Sequence, residues 1–357
     1  MNPAFLSGAA ALLLGAALLA CPAAAAQGFS EGLALCGGSL LPALFPFFVV
    51  CELLVGSPVC EVLGLPLRPL TRLCGIRQRE AASVLVLGWV GGYAVCARMI
   101  AQLRAANRLT ARDASLLLVL GCCSGPGFVI GAVGGQMLGS IRLGVLLYAL
   151  QLAANLLAGA CLLPVLPRFG SDGLSGAVQD VRPAGPAQAI GRAVDSSLLV
   201  CGCVLFFRIL TCLADELPFL SRHPGWQPWL SGALEISAGC YDFAGLPHLP
   251  GLCFCLSVMG FSVFAQLSGL LRGTVSLVPL AFSRGLHLVF LQGMLRIALR
   301  FLPTEAAVFS SLAPRVVVMQ REAPDTSLAV FFFLCAVLAK LYKVRQSSYN
   351  ERVNPGK

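Results

Sequence analysis

The stretch SVLVLGWVGGYAVCARMIAQL, Ser83 to Leu103, decides how this chain is read. It is apolar and long enough to cross a bilayer, yet Gly91 and Gly92 interrupt it and arginines crowd both ends: Arg68, Arg72, Arg77 and Arg79 before it, Arg104, Arg108 and Arg112 after it. Basic residues gather on the cytoplasmic side, so a true span would strand one cluster on the wrong side. A re-entrant hairpin leaves both in the cytoplasm. Two limbs of about ten residues, each about 15 Å long, reach the middle of a roughly 30 Å apolar core, which places Gly91 and Gly92 at the tip.

The composition agrees with a chain in lipid. Of 357 residues, 57% are hydrophobic and only 11% are charged, against about 25% charged in soluble domains. The partner implied by this is the lipid bilayer. The net charge of +9 comes largely from arginines outside the apolar runs and reports topology; no nucleic acid partner is expected. The 16 cysteines lie mostly inside apolar segments, Cys36, Cys51, Cys122, Cys123, Cys201 and Cys203 among them, where a thiol acts as a small hydrophobe. There is no CxxC pair, and His223, His248 and His287 are far apart, so neither a metal site nor a cofactor is expected.

Ten apolar segments follow along the chain: Phe5 to Ala26, Leu33 to Val55, Ser83 to Leu103, Ala114 to Leu138, Ile141 to Leu163, Ser196 to Ala214, Trp229 to Leu249, Gly251 to Leu271, Val275 to Phe301 and Ser327 to Leu341. The first resembles a signal-peptide core but lacks a basic n-region, and a retained helix is favoured. Pro164 to Asp195, rich in Gly, Pro, Asp and Arg, separates two halves. With that loop and the basic tail (Lys340, Lys343, Arg345, Arg352, Lys357) in the cytoplasm, Trp229 to Leu249 must be a second hairpin, entering from outside. Each half then reads span, hairpin, span, span, in opposite orientations. The expected fold is an all-α polytopic membrane protein with inverted-topology repeats, about eight transmembrane helices and two re-entrant hairpins. Its parts are an N-terminal helix (1–32), a first repeat (33–163), a cytoplasmic loop (164–195), a second repeat (196–301) and a C-terminal helix with the tail (302–357).

Lipid offers no partner to a broken backbone, so breaks at membrane depth are tolerated where protein or a water-filled cavity surrounds them. In carriers such breaks build the substrate site. Gly91, Gly92 and Tyr93 at the first tip, with Arg98 just beyond, present amides and a cation suited to a small anion; the alternative is close packing through glycine with Arg98 snorkelling to the interface. Ser124, Gly125, Pro126 and Gly127 read as a discontinuous helix, or as a kinked structural one. In the second half Glu235, Ser237 and Gly239 occupy the hairpin, and Ser262 and Gln266 follow Gly260 on the next span. A carboxylate at that depth is costly enough to suggest a proton or cation-coupling group. Arg208 and His287 invite the same thought, or structural pairing, while Glu52 reads as interfacial. No catalytic motif and no ATPase motif is present, so the chain is expected not to be an enzyme and not to supply primary energy by itself.

At these motifs the chain resembles the sporulation integral membrane protein YlbJ family, whose repeats belong to the nucleoside-recognition gate group. The residues carrying the resemblance are Leu41-Pro42-Ala43-Leu44-Phe45-Pro46-Phe47-Phe48, Gly92-Tyr93 with Arg98, Ser124 to Gly134, Glu235-Ile236, and Gly260-Phe261-Ser262 with Gln266. The family usually carries a proline after the tip tyrosine and asparagines before Ser-Gly-Pro; here those places hold Ala94 and Cys122-Cys123. The resemblance implies a protein of endospore formers, in the outer forespore membrane, that transports the aromatic dianion dipicolinate. The other readings are a nucleoside or other small-solute carrier, or a non-transporting scaffold in spore maturation. The sequence leaves homo-oligomerisation open.

Overall fold

The computed structural model describes residues 3–55, 57–166, 184–218, 222, 224–246 and 248–301. The segment Ser327 to Leu341, the basic tail, His223 and most of the central loop lie outside the described residues. Among the described residues there are helices and no strands. The helices are α1 (Pro3–Ala20), α2 (Pro22–Leu35), α3 (Leu41–Leu54), α4 (Pro58–Gly64), α5 (Arg68–Leu73), α6 (Glu80–Ala105), α7 (Ala111–Gly121), α8 (Ile141–Leu162) and α9 (Pro186–Asp215). They continue with α10 (Gln227–Leu234), α11 (Ile236–Gly245), α12 (Leu249–Val258), α13 (Gly260–Leu271) and α14 (Val278–Phe301). Wide π-type turns, Cys36–Leu40 and Gly127–Met137, join α2 to α3 and follow the break after α7. Six stretches are long and apolar enough to cross a membrane by length and composition: Pro22–Leu54, α6, α8, α9, Leu249–Leu271 and α14. The protein is an all-α polytopic membrane protein.

Of those six, α6 turns back on itself. As a straight rod its 26 residues would measure about 39 Å, yet Glu80 at its start pairs with Arg108 just past its end at 2.9 Å. The chain reverses at Gly92, which sits at φ 77° and ψ −170°, a conformation open essentially to glycine. Small residues line the inside of the bend: a Cβ added to Gly88 would lie 3.0 Å from that of Cys96. The two basic clusters therefore share one end, where Arg112 also donates to the Cys74 carbonyl at 3.1 Å. The expected labelling pattern is unambiguous: in a background without native thiols, cysteines introduced at Arg79 and Arg108 should both react from the same side. Labelling from opposite sides would overturn the hairpin.

A second hairpin, α10 with α11, bends at Glu235, which is extended at φ −147° and ψ 123°. Its limbs touch through glycine, since a Cβ on Gly239 would lie 2.2 Å from the Gly232 Cα. Two further stretches are interrupted without turning back. One runs from α7 through Cys122, Cys123 and Ser124 into the Gly127–Met137 turns; the other is α12 and α13, separated by left-handed Met259 and Gly260. Each half thus has the order span, hairpin, interrupted span, span. Three crossings per half leave the second copy starting on the side where the first ended, and so inverted. The packing follows the same relation: the first spans, α2–α3 and α9, lie together, as do the last spans, α8 and α14. Each hairpin also packs on the other half's interrupted span.

Two boundaries differ from the sequence expectation. The first span starts at Pro22, not Leu33, because Gly28 and Gly32 let α9 approach closely: added Cβ atoms would lie 2.7 Å and 3.2 Å from the Cα atoms of Ile209 and Leu205. Likewise α9 starts at Pro186, ten residues before Ser196. The added stretches include Glu31 and Arg192, which pair with Arg208 and Glu52 from other elements. α1 leaves Phe5, Leu12, Leu13 and Leu19 exposed, the surface expected of a helix facing lipid tails.

Candidate functional site

The interrupted stretches need partners for their free carbonyls, since an unsatisfied backbone group in hydrocarbon costs several kcal/mol. Side chains from the last spans supply them. On α8, Gln151 donates to the Ser124 carbonyl at 2.6 Å and Asn155 to that of Cys122 at 3.5 Å. On α14, Arg284 reaches the Cys122 carbonyl at 3.4 Å and the Asn155 side chain at 2.8 Å. His287 bridges Ser257, beside the second break, at 2.9 Å and the Gln151 carbonyl at 3.1 Å. Trp89 in the first hairpin donates to the Leu120 carbonyl at 2.9 Å. This polar layer, buried apart from the half-buried Trp89, satisfies the breaks, and apart from His287 it was not anticipated from the sequence. The signal was present as a polar pair at i and i+4, Gln151 and Asn155, in an otherwise apolar span. Gln151→Leu should cost about 1–3 kcal/mol by orphaning the Ser124 carbonyl, read as a lower melting temperature in detergent; an unchanged melting temperature would show that this bond contributes nothing.

The breaks meet the hairpin tips. A Cβ on Gly125 would lie 2.8 Å from the Val90 carbonyl oxygen and 3.1 Å from the Gly92 nitrogen, and one on Gly260 would lie 3.0 Å from the Glu235 nitrogen. Tip one against break one is therefore matched by tip two against break two. Between them lies a small cavity of about 30 Å³, lined by Gly91, Gly92, Tyr93, Gly125, Glu235, Ser237 and Gln266. Its apolar walls include Leu44, Phe48, Phe128, Val200 and Val263. Ser124 and Ser262 sit behind this lining: Ser124 shares a 3.4 Å hydrogen bond with the Tyr93 hydroxyl, and Ser262 donates to Glu235 Oε1 at 3.4 Å. The other Glu235 oxygen accepts from the Ala238 amide at 2.7 Å, capping α11.

The remaining expected site residues lie elsewhere. Pro126 opens the π-type turns, and Gly127 packs on α3, where an added Cβ would lie 2.5 Å from the Ala43 carbonyl oxygen. Gly239 packs inside its own hairpin. Arg98 is not among the residues lining the cavity: its guanidinium meets the Glu52 carboxylate and the Ser196 hydroxyl. Glu52 is correspondingly buried, 1% exposed; Arg192 also approaches it, at 3.5 Å. A charge-reversed counterpart occupies the other end. Asp242, on the second limb of the second hairpin, pairs with Arg208 at 2.8 Å, and Glu31 of α2 pairs with Arg208 at 2.8 Å. Each hairpin is thus tied to the first spans by an ion-pair cluster, and Glu31 and Glu52 are separated by about 30 Å of helix. Arg208, noted in the sequence, is thus ion-paired to both Asp242 and Glu31.

No family model matches the chain, and no solved structure does. The sporulation integral membrane protein YlbJ of Bacillus subtilis is 27% identical to it over 304 residues, covering 74% of each chain. The chain is thus similar, over about three quarters of its length, to a sporulation integral membrane protein.

Proposed function

We propose that this chain is a secondary carrier that moves a small organic anion, dipicolinate, across the outer forespore membrane during endospore formation. The observation that carries the reading is the convergence on one cavity of both hairpin tips, the first helix break at Gly125, and Val263 and Gln266 from the helix that follows the second break. Inverted repeats that place discontinuous helices around a central site are a recurring carrier architecture, in which one repeat moves against the other to alternate access. The second limbs of both hairpins begin at this cavity, so their positive dipole ends favour a negative ligand there. Apolar walls that include Phe48 and Phe128 suit an aromatic ring, and Tyr93, Ser237 and Gln266 offer hydrogen bonds to carboxylates. The role proposed is transport and not catalysis. The sporulation setting rests on the printed name of the Bacillus subtilis relative, and dipicolinate on the family resemblance.

One observation favours a second reading, a neutral solute such as a nucleoside: the cavity contains the Glu235 carboxylate, while Arg98 is spent on Glu52 outside it. Uptake into proteoliposomes separates the two. Saturable dipicolinate uptake that nucleosides do not compete supports the first reading. Saturable nucleoside uptake without dipicolinate uptake supports the second, and transport of neither returns the chain to the scaffold class.

A further inference from the structure

Glu235 differs from the other buried acids of this fold. Glu52 faces Arg98 and Arg192, and Asp242 faces Arg208. Glu235, 1% exposed, meets the amides of Ala238 and Ser237 and the hydroxyls of Ser237 and Ser262 instead. The ionisable groups around it are Tyr93 of the first hairpin, Cys36 of the first span, Cys203 of α9 and Cys240 of α11, with Cys253 and Cys255 of α12 behind Cys240. All are neutral side chains near physiological pH. From α13 come Ser262 and Gln266, both uncharged. Arg208 approaches as far as the Ser231 hydroxyl, at 3.3 Å and one turn before Glu235, but it is held by Asp242 and Glu31.

A lone carboxylate in such surroundings is costly, and a second anion entering the same cavity raises that cost through like-charge repulsion. One proton removes both penalties. It also changes the chemistry of the site, because a carboxylate can only accept hydrogen bonds whereas a carboxylic acid donates one, here toward the incoming anion. We propose that Glu235 is the proton-binding site of the carrier, so that an organic anion and one proton occupy the cavity together and cross as a symported pair. The proton comes from water on the loading side, binds a carboxylate oxygen of Glu235, and returns to water on the other side once the anion has left. No other bond changes. The proposal rests on the anion-carrier reading above.

The test uses the full chain in proteoliposomes, with labelled dipicolinate as probe and the membrane potential clamped. An inward proton gradient should drive accumulation by the wild type. Glu235→Gln, neutral and still a donor, should lose about tenfold or more of that accumulation. Gradient-driven accumulation by Glu235→Gln at the wild-type level would overturn the proposal, and so would wild-type uptake that ignores the gradient. Absence of wild-type uptake under every condition would overturn the carrier reading and this proposal with it. A measurement on the wild type alone covers the case in which the glutamine variant does not fold. In weakly buffered detergent solution, dipicolinate binding should take up about one proton per anion bound, and binding without proton uptake would overturn the assignment.

Discussion

Arg208→Met should cost the protein about 3–5 kcal/mol, because it leaves the buried carboxylate of Asp242 without a counter-charge, and removing one partner of a buried pair costs that much. The Arg208 and Asp242 side chains are each only 9% exposed, whereas Glu31 at 38% can turn to water and accounts for little of the loss. In detergent the melting temperature should fall by roughly 10 °C. Adding Asp242→Asn should recover most of it, since the stranded charge is then gone. A single variant that melts like the wild type would show that this cluster does not hold the second hairpin against α9. The same logic applies with signs reversed at the other end, where Glu52 serves Arg98 of the first hairpin.

Gly92→Ala should be the other severe change. At φ 77° and ψ −170° the position is closed to residues with a Cβ, a strain of about 1–3 kcal/mol. The new methyl group would also lie 3.3 Å from the Gly125 nitrogen, where tip and break meet. The expected result is a lower melting temperature together with loss of solute uptake at matched membrane expression. Gly15→Ala in α1, where nothing lies within 4 Å of the added atom, serves as the control and should change neither. Equal behaviour of the two variants would mean that the Gly92 bend is not needed for stability or uptake.

Much of this architecture could be read from the chain because its cues are local. Glycine pairs at mid-segment, a proline between glycines after Cys122-Cys123, and arginines on both flanks of Ser83 to Leu103 each act through the backbone or the membrane field within a few residues. They therefore reveal the hairpin, the breaks and the order of elements without knowledge of what packs where. Gly91, Gly92, Tyr93, Gly125, Glu235, Ser237 and Gln266 were likewise legible as candidates, since a polar or flexible residue at membrane depth is conspicuous wherever it points.

Partnership was not legible. Glu31 lowers local hydropathy and disguises the start of the first span, yet Arg208 neutralises it from 177 positions away. Arg98 looked like a substrate ligand from its place beyond the tip, and the fold turned it to Glu52. Gln151, Asn155 and Arg284 reveal their work only once α8 and α14 lie against the breaks. Where the backbone bends was legible in the chain, because bending depends on local conformational freedom and on the cost of polar groups in lipid. Which charges cancel, and which carboxylate remains alone in the cavity, was decided by tertiary structure, because an ion pair depends on a few ångströms between helices that the chain brings together from opposite halves.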